Sequence, residues 1–280
     1  MVTESIAVII PTWNRAGTIE RAIASVLGQS VAVETILVCD DGSTDESEEI
    51  VHRIASLDER VKWLRGKHVG RPAVPRNRGL KEVASTWVAF LDSDDWWEPN
   101  KLETQFNLMR DKSLDAACGN AARICNGVSQ GNLLSIEHDE IGFHDLLAVN
   151  SVVCSSVVAK TSIVKACGYF SEEKELRAIE DYALWLRVST FTRFAYCKEP
   201  IVDYRDDPVS SVRAQDKNVW WQRATVFSNC IHWLLKKKPR TADSAMYVAE
   251  LRRRVREANW MRFQAVFGRY KSVLRRMIFR

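Results

Sequence analysis

Short apolar strands alternate with amphipathic helices through residues 1–115, and the strands end in polar or acidic turns. Residues 6–10 (IAVII) predict a strand stopped by Pro11, and Thr18–Gln29 then repeats apolar residues at 19, 22, 23, 26 and 27, a helical period. Residues 35–39 (TILVC) predict a second strand running into Asp40-Asp41-Gly42-Ser43. Thr44 is expected to cap a helix whose inner face carries Ile50, Val51 and Ile54. A third strand is expected at Val61–Leu64, a third helix at Pro75–Ala84, and a fourth strand at Trp87–Leu91 leading into Asp92-Ser93-Asp94-Asp95. Strands and helices in alternation build a right-handed, mostly parallel sheet flanked by helices. Ligands of such sheets collect at the carboxyl ends of the strands, where Pro11-Thr12-Trp13-Asn14 and both acidic turns fall. Residues 116–230 read as a second, less regular half, with strands at Asp115–Cys118, Ser151–Ala159 and Phe194–Cys197 and a helix at Asp181–Thr190.

The 280 residues carry a net charge of only +4, which hides an asymmetry: residues 231–280 hold 14 Lys/Arg against 3 Asp/Glu, and the rest is net negative. This third segment interleaves arginines with Leu, Val, Trp and Phe at helical spacing over 247–280. A basic amphipathic helix of this kind suits an anionic membrane surface; a helical lid packed on the acidic body is the alternative. No nucleic-acid motif accompanies the charge. Apolar runs are far below the roughly 18–20 residues of a membrane span, and the N-terminal Met-Val-Thr-Glu-Ser lacks a basic leader, so a cytoplasmic protein is expected, with possible attachment to the inner membrane face. The seven cysteines form no Cys-x-x-Cys pair and are expected to be reduced core thiols.

Asp92, Asp94 and Asp95 follow a buried strand, where like charges repel unless a cation lies between them; oxygen ligands of this type suit Mg²⁺ or Mn²⁺. Asp40 and Asp41 end a neighbouring strand, and a nucleotide would give both acid clusters a shared ligand. Thr12, Trp13 and Asn14 offer hydrogen bonds and an aromatic face for a base, and Asp41 an acceptor for the N3 proton of uracil or thymine. Further on, Glu180-Asp181 precedes YALWLRV, so Asp181 is expected at a helix start, either as a cap or as a general base.

Four segments in order, VIIPTWNRAGTIERAIASVLGQS, ILVCDDGSTDES, PRNRGLKEVASTWVAFLDSDDWWEPNKLE and IEDYALWLRV, resemble the family 2 glycosyltransferases over about residues 5–205. The resemblance implies a GT-A fold and an inverting transfer from a nucleotide-diphosphate sugar to a hydroxyl of a saccharide or lipid-linked glycan. It implies that Pro11, Asp41 and Arg76 face base and ribose, that Asp92 and Asp94 face ribose and metal, and that Asp181 is the base. In this sequence Pro75 replaces the usual alanine before Arg-Asn, and Asp206-Asp207 stands where a histidine often follows Tyr-Arg.

Trp96, Trp97, Ser155 and Glu180 are expected in the acceptor pocket, with Ser151 and Ser156 beside them on a strand, since sugars stack on aromatic faces and bond to hydroxyls. Arg205 and Arg213, flanking Ser210-Ser211, are expected to close on the diphosphate. Two rival readings are a sugar-phosphate nucleotidyltransferase, which would need a glycine-rich phosphate loop where residues 11–20 offer only Gly17 and Arg15, and a non-enzymatic membrane-surface protein.

Overall fold

The computed structural model describes residues 5–206, 219–236 and 243–278, with side chains described to residue 264. The chain divides into two compact units, Met1–Ser211 and Val212–Arg280. The first holds one mixed sheet, so residues 1–115 and 116–206 share a core instead of forming separate bodies. Strand β1 (Ile6–Thr12) is buried at every residue and pairs in parallel with β2 (Thr35–Asp40) on one side and β4 (Trp87–Phe90) on the other; β3 (Val61–Leu64) extends the sheet beyond β2. Helices α1 (Ile19–Leu27), α2 (Ser47–Ala55) and α3 (Ala73–Glu82) follow the first three strands. Gly79 of α3 lies against β1 and β2 so closely that a Cβ there would meet Cys39 Sγ at 2.7 Å and Ile9 side-chain carbons at 3.1 Å.

Two of these helices begin elsewhere than expected. Helix α2 starts at Ser47: Asp45 Oδ1 accepts from the Ser47 amide (3.1 Å) and hydroxyl (2.6 Å), while the Thr44 amide donates to Asn14 Oδ1 (2.8 Å), so Thr44 serves the β1 loop and is not a cap. Helix α3 starts at Ala73 and admits Pro75 in its first turn, where a missing N–H costs nothing.

Beyond β4 the sheet reverses. Strand β9 (Val158–Lys160) is antiparallel to β4 and to β6 (Ala116–Cys125), while β10 (Phe194–Arg205) runs parallel to β6. The two-residue β5 (Trp96–Trp97) pairs with the far end of β10, β7 (Val128–Asn132) forms an exposed hairpin with β6, and β8 (Glu140–Ile141) joins the near end of β10. Helices α4 (Lys101–Lys112), α5 (Phe143–Ala148), α6 (Thr161–Ala166) and α7 (Glu180–Val188) cover this half. The long strand expected at Ser151–Ala159 is a correction: Cys154–Ser156 is a 3₁₀ turn and only Val158–Lys160 is strand. Serine hydroxyls compete with the ladder there, Ser156 Oγ donating to Val153 O (2.7 Å) and accepting from the Gly119 amide (3.0 Å). All seven cysteines are free, and all but the half-buried Cys125 are buried.

The second unit contains α8 (Val219–Lys236) and α9 (Ser244–Ile278), which pack on each other. Its start at Val212 differs from the expected start at residue 231, because α8 carries the apolar face, Val226, Phe227, Cys230 and Leu234, of a two-helix unit. Among the described residues no helix is long and apolar enough to cross a membrane. Ser210, Ser211 and Arg213 lie outside the described residues.

Lys101 is fully buried at the start of α4, its Nζ 3.8 Å from the Trp97 ring centroid and without a hydrogen-bond partner. Burial pushes its pKa down to about 7, so the folded protein holds fewer protons than the unfolded chain between about pH 7 and 10.5. Stability attributable to this group therefore rises with pH across that window, and the penalty is fully present below pH 7. Lys101→Met is expected to stabilise the fold at pH 7 by about 1–4 kcal/mol, part of the penalty being offset by the lost cation–π contact. Urea unfolding at pH 7 and pH 9 checks this: the gain should shrink at pH 9, and a variant less stable than the parent at pH 7 would refute it.

Candidate active site

Parallel pairing places the turns after β1, β2 and β4 side by side, and polar side chains lace them together. Asn14, in the left-handed region at φ 50°, donates its amide to Ser43 Oγ (2.9 Å), and the Arg15 amide donates to Ser47 Oγ (2.8 Å). Asp40 accepts from the amides of Gly42 and Ser43, both at 2.9 Å. Gly42 sits at φ 81°, with His68 N only 2.7 Å from where a Cβ would stand, so the close approach of the 66–71 loop needs glycine.

Asp41 holds that loop. Its buried carboxylate accepts from the amides of Val69 (3.1 Å) and Gly70 (2.8 Å) and lies 3.1 Å from His68 Nδ1. The His68 ring stacks on exposed Trp13, centroids 4.6 Å apart. Pro11 and Thr12 are buried at the end of β1, and Thr12 Oγ1 has no hydrogen-bond partner. The residues expected around a base thus do come together, and His68 joins them; its participation had no signal in the sequence, because the contact depends on how the 66–71 loop folds back over Gly42.

After β4, the acidic turn divides its three carboxylates by partner. Asp92 Oδ1 accepts from Arg76 Nη2 (2.6 Å), and Asp94 Oδ2 from Arg15 Nη2 (3.2 Å). Asp95 is buried: its Oδ2 accepts from Ser155 Oγ (2.5 Å) and its Oδ1 from the Arg205 amide (2.9 Å). Burial, reinforced by its acidic neighbours, raises the pKa of Asp95 well above the carboxylate range; burial and the Asp92 charge raise that of Asp94. Each of these two arginine contacts uses one oxygen of its carboxylate, Oδ1 of Asp92 and Oδ2 of Asp94. Two hard oxygens in a region already straining to hold negative charge fit a divalent cation of the Mg²⁺ or Mn²⁺ type. No group of three or more candidate metal-ligating side chains occurs among the described residues.

Arg76 is 4% exposed and joins this turn to α7, its Nη1 donating to Glu180 Oε1 at 2.7 Å. The sequence led to the expectation that the Arg76 region faces base and ribose; here the side chain is enclosed between two acids, over the Phe170 ring at 5.3 Å. Asn77, the next residue of α3, was not singled out in the sequence; its side chain exchanges hydrogen bonds with the Phe170 backbone, both at 2.9 Å, and donates to Glu172 Oε1 (2.8 Å). Glu180 and Asp181 are buried in the first turn of α7, and Asp181 Oδ1 accepts from the Tyr182 amide (2.7 Å). Trp185 lies wholly in the core among Phe90, Phe170 and Phe194.

Two residues expected in the acceptor pocket lie inside the protein. Trp97 is 3% exposed, its Nε1 donating to Ser155 O (2.7 Å), and the Ser155 hydroxyl is engaged by Asp95 and the Asp92 amide (3.1 Å). Both brace the acidic turn from inside. Ser151 and Ser156 are likewise buried. Trp96 does reach a cavity of about 430 Å³, lined also by Arg21, Asp94, Asn126 and Arg205. The Arg21 guanidinium lies 3.2 Å from the Trp96 ring centroid, a contact between α1 and β5 that no local pattern signals.

The family description "Glycosyl transferase family 2" matches residues 7–154. Two Escherichia coli proteins described as UDP-Glc:alpha-D-GlcNAc-diphosphoundecaprenol beta-1,3-glucosyltransferases are similar: WfgD, 33% identical over 183 residues (65% of this chain, 69% of that protein), and WfaP, 30% identical over 185 residues (66% and 70%). Among solved structures, S. aureus TarS 1–349 in complex with UDP-GlcNAc superposes with a TM-score of 0.69 at 20% identity, covering 89% of this chain and 72% of that one. The mannosyltransferase PcManGT from Pyrobaculum calidifontis, in complex with GDP-Man and Mn²⁺, gives 0.55 at 16% identity, covering 94% and 75%. These likenesses show the GT-A fold, and the matched segment contains the strand-end turns described above. The chain belongs to the family 2 glycosyltransferases.

Proposed function

We propose that this glycosyltransferase moves a hexose from a UDP-sugar to a hydroxyl of a diphosphate-lipid-linked saccharide, with inversion. The observation that carries the reading is the Arg76 bridge, which sets the donor-side acid Asp92 and the buried Glu180-Asp181 pair within one side chain's span. Donor and acceptor chemistry then meet in one cleft. The names of WfgD and WfaP, which specify a UDP-glucose donor and a lipid-diphosphate acceptor, support the choice of substrates.

In this reading Pro11, Thr12, Trp13 and Asn14 contact the nucleoside, the unpartnered Thr12 hydroxyl supplying a hydrogen bond, and Asp41 fixes the loop that borders the base. Asp92 and Asp94 would hold Mg²⁺ or Mn²⁺, which when bound would supply positive charge beside the diphosphate. Exposed Arg205 adds a second cation on the same side. Trp96 lines the acceptor cavity, and Glu180 orients the acceptor hydroxyl. Asp181 takes the proton of that hydroxyl as the oxygen attacks the anomeric carbon from the face opposite the leaving diphosphate. One displacement inverts the configuration. The nucleotidyltransferase reading has no phosphate loop to rest on, since the β1–α1 turn binds its own neighbours through Asn14 and Arg15.

The basic second unit suits an anionic membrane surface, where a lipid-linked acceptor would be met. Trp260 and Phe263 of α9 are 59% and 55% exposed and stack with centroids 5.9 Å apart. Phe267 and Tyr270 follow Trp260 and Phe263 in the sequence at three- and four-residue steps, and their side chains lie outside the described residues.

Asp181→Asn is expected to lower turnover of UDP-glucose by about 10²–10⁴-fold while the melting temperature stays near that of the parent, the usual signature of a lost general base. A variant that loses folding and activity together would mark Asp181 as a cap. Asp94→Ala should abolish Mn²⁺-dependent release of UDP without loss of folding, and turnover at the parent rate would remove Asp94 from the metal site. Co-sedimentation should show the full chain bound to anionic but not neutral vesicles, with binding lost as salt rises. Indifference to anionic vesicles at low salt would exclude the membrane reading.

A further inference from the structure

Arg76 joins the acidic turn after β4 to the start of α7. It reaches from the first turns of α3, with side-chain exposure of 5%, and each terminal nitrogen meets a different carboxylate: Nη1 meets Glu180 at 2.7 Å and Nη2 meets Asp92 at 2.6 Å. The Phe170 ring lies beneath the guanidinium, and Arg76 Nε has no hydrogen-bond partner. Glu180 in turn is 4% exposed, and its second oxygen, Oε2, is buried without a partner.

We propose that Arg76 is the positioning residue of the transfer step: one rigid guanidinium fixes the acidic turn after β4 and the start of α7 relative to each other, so that donor and base meet in register. The proposal rests on the donor-and-base reading given above. It differs from the nucleotide-contact role that the family resemblance implies for this arginine.

The geometry explains why an arginine stands here. A guanidinium presents donors in a flat fork, so two carboxylates on different elements can be held at a fixed separation and angle; an ammonium is a point charge that satisfies one acid well and the other poorly. Both acids bear on reacting groups. Asp92 leads the turn that carries Asp94, and Glu180 precedes Asp181 in the same helical turn. A shift of about 1 Å between these two elements is enough to lower a rate by about 10²-fold. Arg76 also neutralises charge where burial and the neighbouring Asp181 push the pKa of Glu180 up. Glu180 thereby remains a hydrogen-bond acceptor toward Arg76 at the start of α7.

The test uses the full chain, UDP-glucose as donor, saturating Mn²⁺ and a synthetic lipid-diphosphate GlcNAc acceptor, with UDP release as readout. If the parent does not turn over UDP-glucose, the substrate reading has failed and the panel of UDP-hexoses is widened before any variant is compared. With an active parent, Arg76→Lys is expected to lower kcat by about 10–100-fold and to change the donor KM by less than about threefold, because the charge is kept and only the two-point geometry is lost. A raised donor KM with kcat unchanged would overturn the proposal and return Arg76 to the nucleotide. Glu180→Gln, which keeps the shape of the side chain, is expected to lower kcat, and the Arg76→Lys, Glu180→Gln double variant should fall by little more than the worse single variant. Independent, multiplying effects would overturn the proposal. Thermal melts accompany each variant: should Arg76→Lys fail to fold, Glu180→Gln decides alone, unchanged kcat refuting the clamp and lowered kcat at constant donor KM supporting it.

Discussion

Strand β1 is buried along its whole length and hydrogen-bonded in parallel on both edges, to β2 and to β4. Parallel pairing in consecutive register means that three strands end at one edge, so the turns that follow them are forced into contact. Acidic and polar residues that would repel or dangle if separately placed must then find partners in each other's turns. The lacing of Asn14, Ser43 and Ser47, the seating of Asp41 on the 68–70 amides, and the pairing of Asp92 and Asp94 with arginines all follow from that forced proximity. The strand-end edge is thus the place where the sheet's geometry gathers polar groups and makes them one another's partners.

Charge balance at this edge is achieved by arginines drawn from different elements. Arg15 comes from the β1 loop, Arg76 from α3 and Arg205 from the end of β10, and each meets a different part of the acidic turn: Asp94, Asp92 and, through the Arg205 backbone, Asp95. Asp92 and Asp94 each meet their arginine through a single carboxylate oxygen. The arrangement separates the three aspartates into two paired with arginines and one that anchors the turn to β10.

The first half of the fold was legible because each element is local. Val61–Leu64 was assigned to the residue, and β1, β2, α1 and β4 to within a residue or two, since period-two and period-3.6 burial are written in neighbouring side chains. The acid clusters were legible for the same reason. What the sequence did not disclose are partners: that Asp95 is enclosed by Ser155 and the Arg205 amide, that Trp97 faces the core beside a buried lysine, and that Arg76 bridges to a residue 104 positions away. Those contacts depend on tertiary folding, in particular on the antiparallel return of β9 between β4 and β6. Ser151–Ala159 was misread as a strand because its valines are strong strand formers, whereas its serine hydroxyls bind backbone and carboxylate groups that only the folded neighbours provide.

Trp13 carries a last consequence. Its indole face is already covered by the His68 imidazole, which is moored to the Asp41 side of the same turn. A nucleobase using that face would exchange one stacked ring for another instead of covering bare apolar surface. The net gain is then a difference between two stacking energies, each about 1–3 kcal/mol for an aromatic–base pair, and not a full one. An enzyme that releases a nucleotide after every transfer benefits from such a substitution, because departure of the product leaves the indole covered again by a ring from the protein itself.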